Sequence, residues 1–240
     1  MTRINKYLSI CGVTSRRGAE AYIKAKRVTI NDNTVAKLGV IVDEEKDIVK
    51  VDGVVIQPVS ELVYVTMYKP RMVITTLHDP FKRSTVMHYL KALKHRVYPV
   101  GRLDYDAEGA LVLTNDGDLA YRLAHPRYQV KKIYEARVRG HLLIEDAERM
   151  KNGIRLDDGA IGKAEQVSIL GFVGKMTRIR LVLTEGRKRE VKQLCEKVGH
   201  QVELLVRVDF AGITLRNLRP GEWRHLTDRE VSRLKHLVGL

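Results

Sequence analysis

The run Gly101-Arg102-Leu103-Asp104-Tyr105-Asp106-Ala107-Glu108-Gly109 packs three carboxylates into five positions between two glycines, just before the apolar stretch Ala110–Thr114. Acids this close repel one another unless some face solvent or a cation. A charged loop with turn glycines accounts for the pattern without any chemistry. The chemical alternative is more specific. Carboxylates are the usual agents for breaking a sugar C1′ bond through an oxocarbenium-like transition state, so nucleoside chemistry is the natural candidate. Much else drops out, because the chain has no Walker-type loop, no G-x-G-x-x-G, no H-E-x-x-H and no G-x-S-x-G. Its eight histidines lack ligand spacing, and Cys11 and Cys195 are too few for a four-thiolate zinc site or a disulfide framework. Neither a metal nor another cofactor is expected.

Charge points to the partner. Among 240 residues, 43 Lys+Arg against 29 Asp+Glu leave a net charge of +14, which implies a polyanion, nucleic acid first. The surplus is uneven. Residues 1–30 hold seven basic residues, Arg3, Lys6, Arg16, Arg17, Lys24, Lys26 and Arg27, against the single acid Glu20; residues 31–60 are net acidic. No apolar run approaches the ~20 residues of a membrane span. The N-terminus lacks the apolar stretch of a signal peptide, and the low cysteine content suits a reducing cytoplasm.

The elements that must position these residues fall into two groups. Ile4, Leu8 and Cys11 recur at helical spacing with Gly12 as a stop, and Ser15 is placed to cap a second helix that turns Ala19, Tyr22 and Ile23 inward. Val28–Ile30 opens a strand region in which Asp52-Gly53 marks a hairpin. A stretch at 57–62 reads as a linker, so domains of 1–60 and 61–240 are expected. In the second, strands are expected at Leu62–Met67, Val97–Val100, Ala110–Thr114, Lys132–Val138, Arg178–Leu183 and Val202–Val208. Helices are expected at Leu119–Ala124, Ile144–Lys151, Glu190–Val198 and Asp228–Leu237. Strands and helices do not alternate, so an α+β fold with a mixed or antiparallel sheet flanked by helices is expected.

Arg3–Leu8, Gly12-Val13-Thr14-Ser15-Arg16-Arg17 and Arg27–Asn31 together resemble the alpha-L RNA-binding domain of a small-subunit ribosomal protein. Gly-Arg-Leu-Asp-x-Asp from Gly101, followed by the run ending Leu113-Thr114-Asn115-Asp116-Gly117, resembles the signature of the ribosomal RNA pseudouridine synthases of the RsuA/RluB family. Lys69-Pro70, His125-Pro126 with Lys132-Ile133-Tyr134, Glu185–Leu194 and Leu205-Val206-Arg207 agree in order and spacing.

The resemblance implies an enzyme that isomerises uridine to pseudouridine in ribosomal RNA, cytoplasmic, monomeric and without a cofactor. Asp104 would start cleavage of C1′–N1, by a route the sequence leaves open. Arg102 would fill the space left by the flipped uridine or contact its phosphate, and Tyr134 would stack on the uracil, with uptake of the C5 proton as a second role open to it. Lys192 would pair with Asp104, Leu194 would form part of the pocket floor, and Lys69 would border the substrate. Arg187 and Arg189 would contact phosphates, as would Arg3, Lys6, Arg16, Arg17, Lys24 and Arg27 on the first domain. Two departures stand out: Ala107 occupies a place the family usually gives to Thr or Ser, and Arg71-Met72 follow Pro70 where a small residue and Gly are common. The His125-Pro126 and Asn115–Leu119 wording favours a 23S over a 16S substrate. A non-catalytic RNA-binding factor and an RNA glycosylase are the competing classes.

Overall fold

A computed structural model describes all 240 residues, which divide into two compact units, Met1–Leu62 and Val63–Leu240. In the first, α1 (Ile4–Ile10) and α2 (Ala19–Lys24) bury Ile4, Tyr7, Leu8, Ala19 and Ile23. These side chains meet Val28, Val49 and Val51 from a small antiparallel sheet of β1 (Val28–Ile30), β2 (Asn33–Thr34), β3 (Val49–Val51) and β4 (Val54–Val55). Gly12, at φ +76°, turns the chain out of α1 as a residue without Cβ does most readily. Asp52 and Gly53 both take positive φ, as a two-residue type I′ hairpin requires. Ser15 does not cap α2. It closes the preceding turn instead, accepting from Gly18 N at 2.9 Å, and the helix begins only at Ala19.

The second unit is built on one mixed sheet. Its main strands are β5 (Tyr64–Lys69), β6 (Glu108–Thr114), β7 (Lys132–Arg139), β8 (Gln166–Val173), β9 (Met176–Leu183), β10 (Val202–Phe210) and β11 (Trp223–His225). Their order across the sheet is β8-β9-β7-β10-β6-β5-β11. Every pairing is antiparallel except β6 with β10, which is parallel. The same unit holds four α-helices, α3 (Gly117–Ala124), α4 (Ile144–Asn152), α5 (Glu190–Lys197) and α6 (Asp228–Leu237). Alternation in β7 sends Tyr134, Ala136 and Val138 to a core shared with Val191, Leu194 and Cys195 of α5. A second core, around Leu119, Leu123, Phe210 and Leu234, involves α3 and α6.

The mixed sheet and four helices match the expected α+β class. Strands β8 and β11 have no counterpart in the sequence reading. β8 is an edge strand carrying Gly171, where its register with β9 shifts, and it buries little, so its apolar signal is weak. β11 is three residues long and is defined only by pairing with β5.

Candidate active site

The loop that carries the acids is pinned from three sides. Thr75 Oγ1 donates to Leu103 O at 2.8 Å and accepts from Leu103 N at 3.3 Å. The wholly buried Lys69 donates from Nζ to Ala107 O (2.7 Å), Pro70 O (2.9 Å) and Tyr105 O (3.5 Å). Burial, only partly opposed by Asp106 and Asp104, pushes this ammonium down to about 8. Lys69 is therefore a clamp beneath the loop. Met72 N donates to Tyr105 O at 2.7 Å, and Met72 itself sits at φ +60°. That left-handed backbone is where glycine is at ease, which gives the Gly-to-Met departure a local cost.

Past the loop, close approach of two strands fixes its exit. Gly109 (φ +120°) pairs with Arg207 across the parallel β6–β10 contact, and a Cβ there would lie 2.6 Å from Arg207 N. Only glycine allows β6 so near β10. Asp116 caps α3 by accepting from Leu119 N at 3.0 Å and also accepts from Tyr64 OH at 2.9 Å, so the Asn-Asp-Gly string does structural duty.

This architecture opens one cavity onto the loop. Its walls bring together Arg102, Asp104 and Ala107 from the loop, Lys132 and Tyr134 from β7, Leu183 from β9, Leu205, Arg207 and Phe210 from β10, and Arg187, Arg189, Glu190 and Val191 leading into α5. Tyr134 is 9% exposed and lies directly across from Arg207 in the β7–β10 pairing. Asp104 is partly exposed, Arg102 is exposed, and Ala107 is buried against the core. Burial pushes Glu190 up, even though its carboxylate accepts from Arg187 N at 3.0 Å. Arg187 also pairs with Glu185 at 2.9 Å, and Arg189 with Glu196 at 3.1 Å.

Three expected placements are corrected. Lys192 does not pair with Asp104: its Nζ bonds Asp106 Oδ1, because the loop turns at Asp104, where Ala107 N donates to Asp104 O at 3.2 Å, and presents Asp106 toward α5. Burial acts to raise the Asp106 carboxyl, but the bond and charge of Lys192 outweigh it and hold it below the usual range. Leu194 does not line the cavity; it is fully buried in the core, and Val191, one helical turn earlier, takes the wall. Lys69 stays beneath the loop and does not reach the cavity wall. On the first unit Arg3, Arg16 and Arg17 are exposed. Arg27 is engaged by Asp52 through bonds of 2.8 and 2.6 Å, and Lys24 by Glu20 at 2.7 Å.

Sequence reasoning gave no role to Arg207 or Lys132, although both stand in quoted motifs. Their signal was a cation placed within an apolar strand pattern, which marks either a buried charge or an exposed face.

Residues 63–197 match the model of a family described as RNA pseudouridylate synthase. The chain belongs to this family.

It is an RNA pseudouridine synthase, an isomerase that converts uridine to pseudouridine. Over 239 residues, 99% of the chain and 95% of the relative, it is 44% identical to an uncharacterized RNA pseudouridine synthase of Aquifex aeolicus. It is 40% identical to the ribosomal large subunit pseudouridine synthase B of Bacillus subtilis, covering 99% of the chain and 97% of the relative. A crystal structure of a pseudouridylate synthase superposes with a TM-score of 0.70 at 25% identity, covering 98% of this chain and 100% of that one.

Proposed function

We propose that the substrate is large-subunit (23S) ribosomal RNA, modified at a single uridine of a stem-loop that flips into the cavity below Arg102. The observation that carries this reading is the meeting of Asp104, Tyr134 and Arg102 in one cavity, together with likeness over nearly the full chain to a large-subunit synthase. Asp104 is the catalytic acid. The C1′–N1 bond breaks, its electron pair leaves with the base, the base turns, C5 bonds to C1′, and the C5 proton is lost while N1 gains one. Nothing is gained or lost overall, so no cofactor is required.

Tyr134 packs against the flipped base, where stacking supplies ~1–3 kcal/mol. Arg102 compensates for the vacated stack, since flipping costs a few kcal/mol. Arg187 and Arg189 approach the phosphates at the rim, and the exposed Arg3, Arg16 and Arg17 of the first unit dock structured RNA. Lys192 acts on the loop through Asp106. The enzyme works as a monomer in the cytoplasm, where ribosomal RNA is processed; no helix is long and apolar enough to cross a membrane.

Ribosomal RNA carrying tritium at uridine C5 tests this reading. Isomerisation releases tritium to water without loss of base. Free uracil would indicate a glycosylase, and neither product would indicate a binding factor. Mapping of pseudouridine in a deletion strain should show loss of one 23S site; loss of a 16S site with 23S unchanged overturns the substrate.

A further inference from the structure

Arg207 is 2% exposed, yet it lines the cavity that holds Asp104 and Tyr134. Its guanidinium is fixed in place. Nε donates to Ala110 O at 2.7 Å, the group lies over the Phe210 ring at 4.9 Å, and the backbone is locked against Gly109. Nη2, however, is buried without any hydrogen-bond partner. A guanidinium cannot shed its proton to escape this cost, so an unused buried N–H on a rigid cation is an expensive feature. Buried polar groups are nearly always satisfied, and an exception beside a reaction centre asks for an acceptor that arrives with the ligand.

The surroundings narrow what that acceptor is. Lys132, in the same cavity, spends its Nζ on two backbone carbonyls, Val130 O (2.8 Å) and Thr184 O (3.3 Å). Burial first, and then the charge of Arg207, push Lys132 down to about 8. Glu190 is held by the backbone at the start of α5, and Asp106 by Lys192. The inner end of the cavity therefore carries positive charge with no carboxylate pairing Arg207. Such a site suits a neutral group that becomes negative during the reaction.

We propose that Arg207 is a further catalytic residue, donating from Nη2 to a ring carbonyl of the flipped uracil. When C1′–N1 breaks, the bonding pair passes to N1 and spreads onto O2 and O4. The fixed donor stabilises that charge more than it stabilises the neutral base, which is what lowers a barrier. When C5 closes on C1′ and its proton leaves, N1 takes up a proton and the charge on the carbonyl is discharged. The residue acts on the leaving base, whereas Asp104 acts at the start of the cleavage. This assignment rests on the uracil entering the cavity as set out above.

A chemical cycle tests it. The substrate is a ribosomal stem-loop on which wild-type turnover has first been established by tritium release, so failure of the substrate reading is seen separately. Single-turnover rates are measured by nucleoside chromatography for the wild type and Arg207→Gln, on RNA carrying uridine, 2-thiouridine or 4-thiouridine at the target. Sulfur is the poorer acceptor, and its intrinsic effect on the leaving base cancels in the comparison. Arg207→Gln should slow uridine conversion about a hundredfold, the scale of losing one such donor, with RNA affinity within about threefold. The oxygen-to-sulfur rate ratio should be about tenfold larger in the wild type than in the variant for one of the two carbonyls. Equal ratios at both carbonyls overturn the proposal and leave Arg207 a structural residue. If Arg207→Gln does not fold, the cycle is run on Arg207→Lys, whose compact ammonium keeps the charge but lacks the planar fork that sets Nε on Ala110 O and Nη2 apart from it. Loss of the fold in both variants would assign the guanidinium to structure and overturn the proposal.

Discussion

Lys192 is paired with Asp106 and not with Asp104, two positions away on the same loop. The ammonium side chain is 6% exposed and its partner 45%, so the charge that needs the pair is the lysine. Through it α5 holds the loop from one side while Lys69 holds it from beneath, and Asp104 is left facing the cavity. The two aspartates consequently differ in place: Asp106 anchors the loop, and Asp104 lines the cavity, where we propose that it reacts.

That division separates their variants. Asp104→Asn should abolish single-turnover isomerisation while RNA affinity stays within a few-fold, because no phosphate contact is lost. Asp106→Asn should retain measurable turnover but lower stability by about 1–2 kcal/mol, less than for a fully buried pair because the carboxylate is half exposed. Lys192→Met should resemble Asp106→Asn in losing loop order. Urea unfolding beside the rate assay decides the matter, and near-normal turnover by Asp104→Asn would remove it from the catalytic role.

Met72 offers a gain of stability. It holds φ +60° with its side chain 57% exposed, so little packing is at stake. Met72→Gly should raise stability by about 0.5–1 kcal/mol, since relief of a left-handed side chain exceeds the added flexibility of the unfolded chain. Turnover should not fall. A lower urea midpoint would show that the methionine makes a contact worth more than the strain.

Gly109 is predicted to be irreplaceable. An added Cβ meets the Arg207 backbone, which cannot swing aside as a side chain could. Gly109→Ala should cost about 3 kcal/mol or more and part β6 from β10. Thermal unfolding reads this directly; a variant as stable as the wild type would mean that the parallel pairing is softer than its geometry suggests.

Lys132 gives a pH signature in the alkaline range. Its folded value near 8 lies below the ~10.4 of an unfolded lysine, so the unfolded chain binds more protons between those values. Its burial penalty is full below pH 8 and fades as pH rises to about 10.4. Relative to Lys132→Met, the wild type should therefore gain up to about 3 kcal/mol across that window. Urea midpoints of both proteins at pH 7.5 and 10 test the sign, and parallel curves would contradict it.

The first unit should act through phosphates. Replacing Arg16 and Arg17 by Ala should raise KM more than it lowers kcat. It should also flatten the dependence of log affinity on log salt by somewhat under one unit per lost contact. Filter binding from low to moderate salt measures the slope, which a purely structural role would leave unchanged.

By itself the sequence determined the α+β class, the helical stripe of α5, the Asp52-Gly53 hairpin and the block of acids after Gly101. Each is a local pattern, set by the period of side chains along an element or by the backbone freedom of one or two residues. The family motifs also named Asp104 and Tyr134 as candidate site residues before either had a neighbour. The tertiary structure decided which charges meet. Lys192 chose Asp106 because the chain turns at Asp104, a reversal that spacing along the sequence does not encode. Leu194 fell into the core and Val191 onto the wall because packing fixes the rotation of α5. Arg207 read as one more cation in a basic chain until β10, brought against Gly109 across the sheet, buried it beside the cavity with one donor unspent. Burial and pairing depend on contacts between distant segments, and those exist only once the chain has folded.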